Sequence, residues 1–221
     1  MERDRQAFRD FRAGDIPQLR FFQFSQPTFT LGRLDASRRD FSALSYPYEI
    51  RPTGGWTVLH GPQDLCYSVI ASTKDSLVGG DLITSYQKIS LLLQKAFHQL
   101  GREVELSQAP SRASILDRAH CFSTPSQCEL VLNNKKVSGG AQAREGDIFL
   151  QQGVILLSVA EEWRKAYPRE ALASMTGLND GFSVPVTAFQ VEEAVATAFA
   201  AAGAAFEKTW TSVAASGKLE A

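Results

Sequence analysis

Long apolar runs are missing from this sequence, and so is any strong excess of charge of one sign. No stretch approaches the roughly 18 apolar residues that a transmembrane helix needs, and the nearest candidate, residues 194–206, is too short and too rich in alanine. The first residues, Met-Glu-Arg-Asp-Arg, lack the apolar core of a signal peptide. We therefore expect a cytoplasmic protein that does not bind membranes.

Cysteine and histidine are scarce, which limits the kinds of site the chain can build. The three cysteines, Cys66, Cys121 and Cys128, cannot all pair with one another and show no CxxC spacing. There are three histidines, and 23 basic residues are balanced by 24 acidic ones. These counts argue for a reducing compartment and against a disulfide framework, a metal site or nucleic-acid binding.

The 221 residues, of which 44% are hydrophobic, are enough for one globular domain, which we predict over residues 1–221 with a disordered tail at 212–221. Apolar periodicity predicts helices over residues 1–13, 37–44, 81–100, from 158 with a break at 168, and from 187 to about 210. Alternating and β-branched patterns predict strands over residues 19–24, 28–31, 56–59, 65–70, 129–132, 135–142, 147–152 and 154–157. Because strands cluster in the middle and helices flank them, we predict an α+β fold with a mixed, largely antiparallel sheet packed against helices.

Residues 121–142 place a thiol, an ammonium group and a glycine-rich backbone close together in the sequence, and we expect them to be close in space. Asn133-Asn134 separates two β-patterned runs, and asparagine tolerates the positive φ of a tight hairpin turn. Strand alternation sends Lys135 and Lys136 to opposite faces, so at most one of them faces a site. A thiol can act as an acyl nucleophile, and a lysine can hold a carbonyl or phosphate oxygen. By residue type alone, a lone cysteine is more often a buried core residue, and this alternative stays open.

Two blocks of motif residues follow one another along the chain. The first is Arg51-x-Thr53-Gly54-Gly55 followed by His60, and the second is Cys121-Phe122-x-x-Pro125-Ser126, then Glu129-Leu130-Val131, then Lys136-Val137-x-Gly139-x-Ala141-Gln142. Together they resemble the biotin/lipoate protein ligase family, which includes lipoate-protein ligase A and the cysteine-dependent octanoyltransferases. The resemblance covers roughly residues 1–208 and implies that family's fold, a mixed sheet packed against helices.

The resemblance also implies a site in which Cys121 and Lys136 are catalytic. Cys121 matches the acyl-accepting position and would attack the thioester of an acylated carrier protein. Lys136 would hydrogen-bond the acyl carbonyl and lower the pKa of the Cys121 thiol. No metal is implied. The implied substrate-binding residues are Arg51, Thr53, Gly54, Gly55, His60, Ser138, Gly139, Gly140 and Ala141.

Several of these residues have ordinary structural alternatives. The two glycine pairs could be turn and bulge glycines, but beside the motif residues they fit the walls of a narrow slot for an acyl chain. The N–H groups of Gly139 and Gly140 could also supply an oxyanion site. A lone histidine at a strand end is more often structural, and the resemblance places His60 in the substrate pocket, not as the nucleophile's base. Cys66 and Cys128 fall in apolar strand patterns, which predicts that they belong to the core.

The implied function is transfer of an octanoyl group from acyl carrier protein, through Cys121, to a lysine of a lipoyl-domain protein. The acceptor would be the glycine cleavage H protein or the E2 of a 2-oxoacid dehydrogenase, and this step of lipoate biosynthesis would need no cofactor. One alternative is a lipoate-protein ligase, which would need ATP and Mg²⁺. Another is a non-catalytic protein that binds acyl groups or lipoyl domains, which is favoured by the departures from the family pattern at Trp56, Gly61 and Gln152. Retention of both Cys121 and Lys136 argues against the second alternative.

Overall fold

Two β-sheets form the framework of the protein. The computed structural model describes residues 1–37, 40–41, 44–108, 127–203 and 206–213. The strands in these ranges are β1 (Gln18–Phe24), β2 (Thr28–Leu31), β3 (Tyr48–Ile50), β4 (Val58–His60), β5 (Leu65–Ser72), β6 (Glu105–Leu106), β7 (Leu130–Leu132), β8 (Lys135–Glu145), β9 (Ile148–Ile155) and β10 (Glu207–Val213). The helices are α1 (Glu2–Asp10), α2 (Arg33–Ala36), α3 (Leu82–Gln99), α4 (Glu161–Ala166), α5 (Arg169–Ala173) and α6 (Ala188–Ala201).

The larger sheet has seven strands in the order β10-β1-β5-β9-β8-β7-β6, and the smaller has three in the order β3-β2-β4. Among the described strands, β1 with β10 and β2 with β3 run parallel, and the other neighbours are antiparallel. The predicted α+β fold with a mixed, largely antiparallel sheet is therefore confirmed. The prediction of a single domain stays a prediction. No helix within the described ranges has the length and apolarity needed to cross a membrane.

Helices α3 and α6 cover one face of the seven-stranded sheet. Helix α3 begins where the Asp81 carboxylate accepts a hydrogen bond from the Thr84 amide (2.8 Å), and α6 begins at a capping box formed by Thr187 and Gln190. The apolar faces of both helices bury against the sheet, where each large side chain contributes roughly 2 kcal/mol. The core on this side includes Phe21, Tyr67, Ile89, Leu93, Phe97, Phe149, Val191, Val195 and Phe199.

The opposite face of the large sheet packs against the three-stranded sheet and helices α4 and α5. The apolar cluster between them includes Phe22, Phe24, Phe29, Leu31, Val58, Leu59, Cys66, Val154, Leu156 and Trp163. Two aromatic side chains form hydrogen bonds between these layers. The Leu59 N–H donates to the Tyr167 hydroxyl (3.0 Å), and the Trp163 indole N–H donates to the Asp64 carboxylate (3.0 Å).

The prediction of a last helix running to about residue 210 is wrong. Helix α6 ends at Ala201, and Gly203, with a φ of +90°, redirects the chain. The β-branched and aromatic residues that follow form β10, which pairs in parallel with β1. The predicted disordered tail at 212–221 is corrected as well, since its first two residues belong to β10; residues 214–221 lie outside the described part of the chain.

Two further predictions of secondary structure are wrong. Ser37 does not begin a helix over residues 37–44 but ends α2, which lies one turn earlier. The two strands predicted between residues 147 and 157 are a single strand, β9. Gly153 lies within this strand and does not interrupt it. The Tyr67 ring packs against Gly153, where a Cβ would come within 2.4 Å of the ring, so a larger residue would not fit.

Candidate functional site

The hairpin formed by β7 and β8 carries the predicted catalytic lysine. Asn133 and Asn134 have positive φ angles of 51° and 61°, as a tight turn requires. After the turn, Lys135 is exposed, whereas Lys136 is only 1% exposed. The two lysines point to opposite faces, as strand alternation predicts, and Lys136 is the one that points inward.

A β-bulge in β8 places Lys136 beside Gly139. Two adjacent residues of β7 pair with Ser138 and Lys136, so Val137 is an extra residue on β8. In a regular strand, residues three apart point to opposite faces. The extra residue brings Lys136 and Gly139 to the same face, where a Cβ on Gly139 would lie 2.5 Å from Lys136 Cε and 2.8 Å from Nζ. The observed position of the lysine thus requires a glycine at 139.

Glu129 holds the Lys136 ammonium in place. Lys136 Nζ lies 2.8 Å from Glu129 Oε1, and both side chains are buried. The backbone of Lys136 is fixed as well, since its N–H donates to the Ser174 carbonyl (2.8 Å) and its carbonyl accepts from the Thr176 N–H (2.9 Å). Sequence reasoning gave Glu129 no role, although opposite charges on the two arms of a predicted hairpin could have indicated the pair.

A narrow slot opens between the two sheets next to Gly139. Four of its lining residues form one row across the large sheet: Gly139 on β8, Val154 on β9, Cys66 on β5 and Phe22 on β1. Three steps between neighbouring strands make this row roughly 14 Å long. The other lining residues are Met1, Thr30, Arg51, Val58, His60, Gly140, Ala141, Gln152 and Gly153. The walls are mostly apolar, as an unbranched acyl chain requires, but the open volume between them is about 40 Å³, so the walls must move apart to admit such a chain.

The structure brings five of the nine predicted substrate-binding residues to the slot. These five are Arg51, His60, Gly139, Gly140 and Ala141. The other four, which stand behind its walls or beside it, are Thr53, Gly54, Gly55 and Ser138. Ser138, for example, donates its hydroxyl to the Val154 carbonyl (2.9 Å). Contact with substrate stays a prediction for all nine.

Arg51 uses its guanidinium group to shape the loop that forms one wall of the slot. It donates hydrogen bonds to the carbonyls of Thr30 (2.7 Å), Gly54 (2.8 Å) and Trp56 (2.7 Å). Gly55 has a φ of +85°, and a Cβ there would meet the same guanidinium at 3.0 Å. Both motif residues therefore fix the backbone between the two sheets.

A buried polar network behind the slot links α1 to the large sheet. Thr53 donates to the Gln152 side-chain oxygen (2.9 Å), and the Gln152 amide donates to Asp4 (2.6 Å). Asp4 also accepts hydrogen bonds from Arg20 (2.7 Å) and Ser68 (2.8 Å). Gln152, which departs from the family pattern, connects the two halves of this network. No sequence signal joins the five residues, because each comes from a different segment.

The backbone of Gly140 is engaged by Tyr86 of α3. The Gly140 N–H donates to the Tyr86 hydroxyl oxygen (2.7 Å). This N–H, one of the two predicted oxyanion donors, therefore has a partner within the protein; the role of Gly139 stays a prediction. Sequence reasoning gave Tyr86 no role at the motif strand, so this contact was missed.

His60 lies buried in the slot wall as a neutral imidazole. Its Nε2 is 2.8 Å from Thr30 Oγ1, and its Nδ1 is 3.3 Å from Cys66 Sγ. Burial, with the positive charges of Arg51 and the amino terminus, lowers the His60 pKa from 6.5 to about 3. Burial also raises the pKa of the Cys66 thiol. At neutral pH the imidazole is therefore neutral and the Cys66 thiol is protonated. The resemblance implied that His60 belongs to a substrate pocket; it lines the slot, and its contact with substrate stays a prediction.

We expect the His60 ring to stay neutral between about pH 4 and 8, because its folded-state pKa is about 3. Its NMR ring signals, assigned with a His60→Gln variant, should not shift over this range. In urea the same ring should titrate near 6.5. Below that pH, His60 binds a proton in the unfolded chain but not in the folded protein. The free energy of unfolding therefore decreases as the pH falls. A His60 titration near neutral pH in the folded protein would contradict this.

The predicted nucleophile, Cys121, lies outside the described residues, as do residues 109–126 as a whole. Its role stays a prediction. Cys128, at the base of β7, is buried, as expected of a core cysteine. Within the described ranges, no group of three or more histidine, cysteine, aspartate and glutamate side chains is arranged to hold a metal ion.

Comparison with known proteins decides the family. A family model described as the lipoyl protein ligase A/B catalytic domain matches residues 1–200. The chain belongs to this family. The resemblance to the biotin/lipoate protein ligases is thus confirmed.

Two curated relatives of the chain are octanoyltransferases. Octanoyltransferase LipM of Kyrpidia tusciae is 33% identical over 215 residues, which cover 86% of this chain and 77% of that protein. Octanoyltransferase LipM of Carboxydothermus hydrogenoformans is 36% identical over 148 residues, which cover 65% of this chain and 54% of that protein. These relatives confirm the predicted enzyme class, an acyltransferase of the octanoyltransferase type.

Solved structures of lipoate ligases share the fold. A lipoate-protein ligase A bound with ATP superposes with a TM-score of 0.72 at 19% identity, over 95% of this chain and 81% of that one. A bi-partite lipoate protein ligase from Thermoplasma acidophilum, solved in a study of that ligase and its E2 lipoyl domain, superposes with a TM-score of 0.65 at 18% identity, over 95% and 80%. At these identities the likeness is one of fold.

Proposed function

We propose that the protein is an octanoyltransferase of lipoate biosynthesis that carries the acyl group on Cys121. The observation that carries this proposal is the slot, with the buried Lys136 ammonium beside Gly139 at one end of its row of lining residues. An acyl chain would lie along the slot with its carbonyl at this end. The names of the LipM relatives support octanoyl as the acyl group. We place the reaction in the cytoplasm, where thiols stay reduced.

In the first half-reaction, the Cys121 thiolate attacks the carbonyl carbon of an octanoyl thioester on acyl carrier protein. The C–S bond to Cys121 forms, the donor's C–S bond breaks, and the donor thiolate takes up the proton that Cys121 has lost. Lys136 hydrogen-bonds the acyl oxygen and stabilises the negative charge that develops on it. One thioester replaces another, so the exchange is close to thermoneutral and needs neither ATP nor Mg²⁺.

In the second half-reaction, the amine of a lysine on a lipoyl domain attacks the acyl-Cys121 thioester. A C–N bond forms, the C–S bond breaks, and the proton that the amine loses passes to the departing Cys121 thiolate, which regenerates the thiol. An amide is more stable than a thioester, so this step runs downhill. The lipoyl-domain acceptor is supported by the Thermoplasma ligase, whose study includes an E2 lipoyl domain. The glycine cleavage H protein and a 2-oxoacid dehydrogenase E2 are the acceptors to test.

The direct test is the intact mass of the protein after incubation with octanoyl carrier protein and no ATP. We expect one octanoyl adduct on the wild type and none on Cys121→Ser. Cys128→Ser is the matched control, because Cys128 is a buried core residue, and it should load like the wild type. Adding a lipoyl domain should then remove the adduct and place the octanoyl group on the acceptor.

Other outcomes would redirect the assignment. No adduct, together with stabilisation against heat by lipoate and ATP with Mg²⁺, would indicate a ligase. No adduct and no such stabilisation would indicate a non-catalytic binder. An adduct that persists in Cys121→Ser would place the nucleophile elsewhere in the chain.

A further inference from the structure

A second, wider cleft lies beside the slot and is lined largely by arginine. It has a volume of about 640 Å³ and lies between α1, the segment 52–54 and the end of β8. Its charged lining residues are Arg5, Arg9, Arg33, Arg144 and Glu145. Four positive charges against one negative form a local concentration of positive charge in a chain whose formal net charge is −1.

The arginines of this cleft are held in different ways. Arg5 donates to the Ile50 carbonyl (2.8 Å), and Arg144 donates to the Gln142 side chain (2.9 Å) and to the Gly80 carbonyl. Arg5 is also ion-paired with Glu2, which offsets part of its charge, whereas these bonds of Arg144 go to neutral groups. Arg9 and Arg33 are exposed at the cleft. The cleft therefore presents guanidinium groups to whatever enters it.

The cleft and the slot are built from the same two segments of the chain. Arg51 and Ala141 line the slot, while Gly54, Gln142 and Ala143 line the cleft. A molecule seated in the cleft is thus next to the slot, across the loop that Arg51 holds. A charged cleft beside an apolar slot fits a ligand with an apolar end and an anionic body.

We propose that this arginine cleft docks the acyl donor, an acidic carrier protein with its phosphopantetheine arm. The proposal rests on the proposed function and adds the surface by which the donor is recognised. The octanoyl chain would enter the slot, and the phosphodiester at the base of the arm would meet the arginines, which bind phosphate and carboxylate oxygens through paired N–H groups.

The test measures loading of Cys121 from two acyl donors in the variant Arg9→Glu/Arg33→Glu, in which the charge of two exposed arginines is reversed. We expect loading of Cys121 from octanoyl carrier protein to fall about 10-fold or more in kcat/KM at low salt. The difference should shrink at high salt. Loading from octanoyl-pantetheine, which has neither the phosphate nor the protein, should stay within about 2-fold of the wild type, because no attraction to the arginines is lost. The control is Arg164→Glu/Lys165→Glu, an equal charge reversal on exposed residues of α4 outside the cleft.

Each other outcome has a separate meaning. Unchanged loading from the carrier protein would overturn the docking proposal and leave the octanoyltransferase intact. A defect only in transfer from the loaded enzyme to the lipoyl domain would assign the cleft to the acceptor instead. If the wild type loads from neither donor, the proposed function fails, and the docking proposal fails with it. Arg9→Gln/Arg33→Gln should give a smaller loss than the reversal, because it removes positive charge without adding negative charge.

Discussion

Lys136→Met is expected to lower octanoyl transfer by about 100-fold or more and also to destabilise the fold. The activity falls because the ammonium that stabilises the acyl oxygen is lost. The stability falls because Glu129, only 6% exposed, is left in the protein interior without the Lys136 ammonium. Removing one member of a buried ion pair costs roughly 3–5 kcal/mol. Urea unfolding and the rate of Cys121 loading measure the two effects.

A second variant separates catalysis from folding. Lys136→Met/Glu129→Gln removes both charges of the pair, and a neutral buried pair of similar shape costs little. We expect the double variant to recover most of the lost stability and none of the lost transfer. If it loads Cys121 at the wild-type rate, Lys136 is a structural residue and its proposed role at the acyl carbonyl is wrong.

In the hairpin of β7 and β8, the turn and the inward-facing lysine could be predicted from local sequence, but the position of Gly139 could not. Asn133-Asn134 predicted the turn, and alternation allowed only one of two lysines to face inward, because both rules depend on neighbours in the chain. The place of Gly139 under the Lys136 side chain was not predictable in this way. It depends on the bulge at Val137, and a bulge is set by how β8 pairs with β7.

The hydrogen-bond partners of Arg51 and Asp4 could not be predicted from the sequence. The motif drew attention to Arg51, but a guanidinium has five N–H donors, and only the folded loop shows that three carbonyls accept from it. Asp4 carried no signal at all, since its partners lie on β1, β5 and β9. Contacts between segments distant in sequence are decided by the packing of the whole fold.

Strand β10 was missed for a related reason. The alanine-rich stretch before it has strong helix propensity, which predicted a helix extending through it to about residue 210. The helix stops near Gly203, and the residues beyond it gain their hydrogen bonds by adding to the edge of β1. Propensity describes one segment, whereas a strand also needs a partner with an open edge.

Gly139→Ala is expected to slow transfer by about 100-fold while changing stability by less than about 1 kcal/mol. The new Cβ would lie 2.5 Å from Lys136 Cε and 3.0 Å from Glu129 Oε1, so the lysine side chain must swing away. The end of a flexible side chain moves cheaply, and exchanging glycine for alanine also reduces the entropy of the unfolded chain, which offsets part of the cost. A displacement of about 1 Å at a reacting group is enough to cost such a factor in rate.

The control for this prediction is Gly14→Ala, where a Cβ would meet no atom within 4 Å. We expect Gly139→Ala to load Cys121 much more slowly than Gly14→Ala. The two variants should have similar free energies of unfolding in urea. Equal loading rates in the two variants would mean that transfer does not require the Lys136 ammonium to lie beside Gly139. A large loss of stability in Gly139→Ala alone would mean that the ion pair cannot move aside, and that the bulge in β8 is held rigidly by the Lys136 backbone bonds to the segment 174–176. The expected result, a slow enzyme with an intact fold, would tie the bulge directly to the position of the catalytic charge.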